Sequence, residues 1–195
     1  MSEQGSFAGF APSAPTDRLF FALFPGADVA GRIAGLAREQ CARHGLRGKP
    51  LLVDRFHVTL FHLGDWAGLP PAIVDAAGRA AAQLRADPFD VRFDEVASFV
   101  GRQDKKPFVL KSRDGNAVLH DFHARFARLL GAAGLAQAAK ERFEPHVTLA
   151  YDSRAVPAET VDPISWRAGE VVLVHSLLGR TRHIALGRWP LRGGV

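Results

Sequence analysis

Apolar residues along this chain switch repeatedly between helical spacing and short continuous or alternating runs. Arg18 to Phe24 is a buried-strand run closed by the turn pair Pro25-Gly26. Val29, Ile33, Leu36 and Ala37 then recur at helical spacing up to about His44. Ile73, Val74, Ala77, Ala81 and Leu84 do the same between about Pro70 and Arg85, so two amphipathic helices are expected. A short strand near Leu51 to Val53 and a second one carrying His57 lie between them. Strands near Phe89 to Phe99 and Pro107 to Lys111 flank the polar stretch Gly101-Arg102-Gln103-Asp104-Lys105-Lys106 and read as a hairpin. A third helix is expected from about Ala117 to Leu130, with Val118, Phe122, Phe126 and Leu129 as its buried stripe. The chain continues with a strand carrying His146, a strand near Val171 to Leu178, the turn Gly179-Arg180-Thr181-Arg182, and a last strand ending at Trp189. Residues 1–16 are rich in Gly, Ala, Ser and Pro and read as a disordered tail, which leaves residues 17–195 as a single domain. This mixture of helices, strands and hairpins places the fold in the α+β class.

The tetrapeptide His57-Val58-Thr59-Leu60 recurs as His146-Val147-Thr148-Leu149. Self-similarity of this kind is the ordinary mark of a duplicated supersecondary unit. In an extended strand residues i and i+2 share a face. Each copy therefore sets an imidazole beside a hydroxyl, while Val58 and Leu60, or Val147 and Leu149, point to the core. Asp54-Arg55 and Glu144-Pro145 precede the two runs, and Gly64-Asp65 and Asp152-Ser153 close them. Two lobes related by a pseudo-twofold axis would bring both faces to one central cleft, each lobe an antiparallel sheet with outer helices.

Those motifs carry a resemblance. The chain resembles the 2H phosphoesterase superfamily, whose mark is two His-x-Thr/Ser-x motifs, and within it the RNA 2′,3′-cyclic phosphodiesterase, or 2′-5′ RNA ligase-like, group. Arg18-Leu19-Phe20-Phe21-Ala22-Leu23 looks like that group's first strand, and Arg55 to Gly64 like its first motif. Phe143 to Ala150 looks like the second motif, and Trp189-Pro190-Leu191 like the closing strand. The group often carries a basic residue soon after each motif's Leu, where this chain has Phe61-His62 and Ala150-Tyr151. The resemblance implies two related lobes about a cleft, with His57 as proton donor to a 3′ oxygen, His146 as acceptor from water, and a 2′-phosphate product.

Elementary chemistry suits that implication. Opening a 2′,3′-cyclic phosphate requires one proton to leave the attacking water and another to reach the departing ribose oxygen. Imidazole titrates near neutrality, so His57 and His146 can take the two parts. The hydroxyls of Thr59 and Thr148 can donate to nonbridging phosphate oxygens, where negative charge concentrates. No metal and no cofactor is expected. The same constellation would serve 2′-5′ RNA ligation or 2′-5′ phosphodiester cleavage, or act on a small cyclic nucleotide. A non-enzymatic RNA-binding module would not need both imidazoles.

The remaining composition changes the picture little. The 195 residues are 47% apolar, enough for one sizeable core. The net charge of +5 suits an anionic partner, although 20 of the 25 basic residues are Arg, which coding composition alone could produce. A single cysteine, Cys41, permits no intramolecular disulfide and is expected to be packed. No apolar run approaches a membrane span and no signal-peptide order is visible, so a cytoplasmic monomer meeting RNA ends or a cyclic nucleotide, and no membrane, is expected. His120 and His123 have a spacing that can hold a metal but lack a third ligand, and read as a solvated helix edge. His62, by strict alternation, falls on the face opposite His57 and reads as structural. Tyr151, His175 and His183 stay open between cleft and core. Arg102, Lys105, Lys106, Arg180 and Arg182 in the turns could guide an RNA backbone, or be solvated tips.

Overall fold

The computed structural model describes residues 14–99, 105–140 and 142–193. Most of the expected tail, the Gly101–Asp104 part of the hairpin turn and Arg102 with it lie outside the described residues. Strands β1 (Asp17–Leu23), β2 (Val58–Trp66), β3 (Phe89–Ser98), β4 (Lys106–Lys111), β5 (His146–Asp152), β6 (Glu159–Ala168), β7 (Glu170–Leu177) and β8 (Arg182–Pro190) pair antiparallel throughout. Their order, β6-β3-β4-β5-β2-β1-β7-β8, splits into two four-stranded halves. One residue pair, Val58 with Val147, joins β2 to β5 and so joins the halves. The two expected sheets are thus two lobes of one sheet.

Helices α1 (Ala27–Arg43), α2 (Pro71–Ala82) and α3 (Ala117–Ala132) cover the sheet. Helix α1 follows β1 but packs on β5 and β6 in the other lobe. Helix α2 lies against β7, β8 and α3. Helix α3 follows β4 and returns to the first lobe, where Phe126 meets Phe21 and Phe61 edge-on. Each fully buried ring of this kind contributes roughly 1.5–3 kcal/mol. Most buried apolar residues of both lobes form one large cluster, from Leu19 and Phe21 through Phe61, Phe93 and Phe108 to Leu173, and Phe20, Ala22, Val172 and Val174 form a smaller one. Among the described residues no helix is long and apolar enough to cross a membrane.

The duplication extends beyond the motifs. Helix α1 stops with Gly45 at φ 60°, the Gly45 amide donating to the Ala42 carbonyl and the Leu46 amide to that of Cys41. Helix α3 stops in the same way, with Gly134 at φ 84°, Gly134 donating to Gly131 and Leu135 to Leu130. This is the Schellman arrangement, which glycine satisfies without a Cβ penalty. Each of these glycines stands twelve residues before its motif histidine. Helix stop, loop and strand are therefore one repeated unit.

Three further expectations change. The buried stripe of α3 is Leu119, Phe122, Phe126 and Leu130, while Val118 is exposed. The stripe is rotated because the helix is docked by its two phenylalanines, which turn Leu119 inward. Leu51 to Val53 is not a strand: the Leu51 amide bonds once to the Leu149 carbonyl, and the chain then enters a 3-10 turn at Val53–Arg55. Strand β6 has no counterpart among the expected elements. Its alternating burial of Ile164, Trp166 and Ala168 is present in the sequence, but Pro163 masks it; β6 is an edge strand, where a proline is tolerated. Cys41 is buried, as expected.

Candidate active site

The lobes meet at the residue between His and Thr in both motifs. With Val58 opposite Val147, the antiparallel register brings His57 beside Thr148 and Thr59 beside His146. Both valines are fully buried. All four polar residues line one cleft of about 460 Å³. The sequence-predicted residues are therefore brought together by a single backbone junction.

A β-bulge follows each motif. Thr59 pairs with Ala22 and Phe61 with Phe21, leaving Leu60 as the extra residue. Thr148 pairs with Val109 and Ala150 with Phe108, leaving Leu149 as its counterpart. An extra residue shifts the alternation by one. His62 and Tyr151 consequently join the His-Thr face and line the cleft. This corrects the reading of His62, which strict alternation puts on the opposite face.

The two imidazoles are held alike. His57 Nδ1 lies 2.7 Å from the Arg55 carbonyl and His146 Nδ1 lies 2.7 Å from the Glu144 carbonyl. A carbonyl only accepts, so Nδ1 carries the proton in each neutral ring and Nε2 presents a lone pair. Their surroundings differ. His57 stacks on Phe20 with ring centroids 5.0 Å apart, has Phe24 at 5.5 Å, and meets His183 edge-on at 5.4 Å. Burial pushes its pKa down to about 3, and the nearby His183, Arg55 and His146 push the same way. His146 meets only the edge of Phe99, at 4.7 Å, among the described rings. Burial lowers its pKa too, and the Glu144 carbonyl pulls upward as the Arg55 carbonyl does for His57. Here, however, the neighbouring charges are mixed, the Glu144 carboxylate pulling upward and Lys111 downward.

Other residues arrive from distant segments. Arg18 is bound to Asp65 through two hydrogen bonds of 2.8 and 2.7 Å, and Asp65 also accepts from His62 Nε2 at 2.8 Å. Arg18 and His62 hold Asp65 down to about 2. Arg55 and His183 stand on the same cleft wall, and burial pushes His183 down to about 4. Gly179 and Thr181 from the β7–β8 turn complete it. Sequence reasoning missed Arg18, Arg55 and Ser176 as cleft residues. Arg18 and Ser176 reach the cleft only through the pairing of β1 with β2 and β7. Arg55, in the 3-10 turn two residues before His57, is marked in the sequence by its nearness to the motif.

His175 lies outside the cleft lining, in a 2.5 Å contact with Asp17. His123 is not a solvated edge. It is sandwiched between Phe61 at 4.0 Å and Phe143 at 3.9 Å, and its Nε2 lies 3.0 Å from the Leu60 carbonyl. That ring nitrogen is thus engaged in structure, while His120 is exposed and packs edge-on against Phe143. Among the described residues no group of three or more His, Cys, Asp or Glu side chains is placed to hold a metal ion. Lys105, Arg180 and Arg182 are exposed, and Lys106 donates to the Ser153 carbonyl.

Two imidazoles with inward lone pairs, flanked by two hydroxyls, can exchange protons on opposite sides of one atom and donate to its oxygens. A model of the 2′-5′ RNA ligase superfamily matches residues 27–180. The fold is similar to that of E. coli LigT complexed with 3′-AMP, at a TM-score of 0.71 and 25% identity, covering 91% of this chain and 99% of that one. E. coli LigT in apo form gives 0.70 and 23%, over 92% and 99%. A protein of Thermus thermophilus gives 0.61 and 25%, over 90% and 98%. No curated protein matches the chain in sequence.

Proposed function

The chain belongs to the 2′-5′ RNA ligase superfamily, and on that footing we propose that it hydrolyses 2′,3′-cyclic phosphate ends of RNA to 2′-phosphates without a metal ion. His57 and His146 are the proton-transfer pair, and Thr59 and Thr148 hold the phosphate. The observation that carries this reading is the meeting of two His-x-Thr faces at Val58 and Val147. That E. coli LigT is known as a complex with 3′-AMP supports a nucleotide end as the ligand.

Water attacks phosphorus as one imidazole removes its proton. The P–O3′ bond breaks, and the 3′ oxygen receives a proton from the other imidazole. Protons and charge balance, and the product is a 2′-monoester. The threonine hydroxyls donate to the nonbridging oxygens as their charge grows. Both rings start neutral in the empty cleft, because burial disfavours their charged forms. The bound phosphate anion draws in the proton that the donor needs. The resemblance assigns donation to His57, yet Arg55 and His183 oppose a proton there, while Glu144 favours one on His146. The bound phosphate has to outweigh that difference if His57 is the donor.

A cyclic-phosphate-ended oligonucleotide incubated with the protein in EDTA tests the reading. The expected result is conversion to a 2′-monoester, identified by ³¹P NMR. A 3′-monoester product, or turnover that vanishes in EDTA and returns with a divalent ion, would overturn it.

A further inference from the structure

Two arginines line the cleft among the described residues, and they are committed differently. Arg18 is paired with Asp65 through both prongs of its guanidinium. Arg55 is half-buried, and its Nε and Nη1 are closed to solvent with no hydrogen-bond partner. Asp54, next in the chain, acts on it only through charge. Burying an unpaired cation is unfavourable, and natural folds keep such groups where a partner arrives from outside.

We propose that Arg55 is a phosphate-binding residue, whose guanidinium takes the charge of the reacting phosphodiester from the first-motif side of the cleft. This rests on the phosphoester reading of the site. The main-chain carbonyl of Arg55 already fixes His57 through Nδ1, so one residue sets the imidazole and presents the cation beside it. It lines the cleft together with His57 and His183, and its charge lowers the pKa of both. A guanidinium offers a planar fork that matches phosphate oxygens. The equivalent position in the second motif is Glu144, whose exposed carboxylate lies 3.3 Å from Lys111. Lys111, the cation near His146, is paired with both Glu144 and Glu95, so the unpaired cation stands on the first-motif side and polarises the site along the axis that joins its two histidines.

Arg55→Met keeps the length of the side chain and removes its charge. Binding of inorganic phosphate by calorimetry, single-turnover cleavage of a cyclic-phosphate-ended RNA, and thermal unfolding are measured for it and for Arg55→Lys. Phosphate binding should weaken on the order of 10- to 100-fold in Arg55→Met, and Arg55→Lys should recover part of it. The melting temperature should stay level or rise, because an unpaired buried cation has been removed. Unchanged phosphate binding in Arg55→Met together with a lower melting temperature would make Arg55 a structural residue and overturn the inference, leaving the hydrolase reading intact. Absence of phosphate binding in the wild type would overturn the inference too. Arg55-dependent phosphate binding without cleavage of cyclic ends would uphold the inference and remove the hydrolase reading.

Discussion

In the first copy of the motif the imidazole of His57 lies against Phe20 and Phe24 with His183 at its edge, whereas in the second copy His146 touches one ring edge and stands beside Glu144 and Lys111. The backbone around the two is nevertheless duplicated closely. Each has a Schellman stop twelve residues upstream, an Nδ1 contact to the carbonyl two residues back, and a bulge at the leucine after the threonine. Even the carbonyls of the bulged leucines are both satisfied: Leu60 by His123 Nε2, and Leu149 by the Leu51 amide. What differs is charge and burial. Under the proposed function, repeated geometry would let two imidazoles flank one phosphate, and unequal electrostatics would suit the opposite tasks of donor and acceptor.

The strongest way to break this comparison is to remove one imidazole at a time. His57→Ala and His146→Ala should each lose on the order of 10²- to 10⁴-fold in kcat. The double variant should be little worse than the poorer single one, since the pair acts as a unit. A single variant that cleaves near the wild-type rate would end the two-histidine mechanism.

The threonines offer a smaller and sharper test. Thr59→Val and Thr148→Val keep shape while deleting a donor, and each should lower kcat by roughly 10- to 10³-fold with less effect on KM. Similar losses indicate a phosphate centred between the lobes. A change confined to KM would mean that the hydroxyls only hold the ligand.

The mildest test follows protons rather than rates. In the ligand-free protein His146 should gain its proton at higher pH than His57, which is held down to about 3. NMR titration of the imidazoles reads the order, and the reverse order would contradict the assigned surroundings. Stability follows with a definite sign. His57, His123 and His183 have folded pKa values of about 3, 4 and 4, each lowered chiefly by burial. Between roughly pH 6.5 and those values the unfolded chain binds protons that the folded chain does not, so stability falls as pH falls and is whole above that window. Melting temperatures taken from pH 7.5 to 4.5 should hold level down to roughly pH 6.5 and decline below it. A flat series would show that these rings protonate without unfolding.

Much of the fold is legible in the residues. The three helices and seven of the eight strands follow from periodicity, and the eighth is hidden by Pro163 at a sheet edge. The rotated stripe of α3 is not legible, because Leu119 and Val118 are equally apolar and only docking selects between them.

The sequence by itself determined that the chain holds two equivalent units and that each sets a histidine beside a threonine, because positions i and i+2 of a strand share a face whatever the strand packs on. The tertiary structure alone decided that His62 and Tyr151 turn into the cleft, since a bulge is a property of pairing between strands and not of one strand. It also decided which cations stand by which imidazole. Arg18 finds Asp65 and Arg55 finds none because partners come from segments far apart in the chain, and burial, which sets the proton affinity of His57, exists only once β1, β2, β7 and β8 have assembled around it.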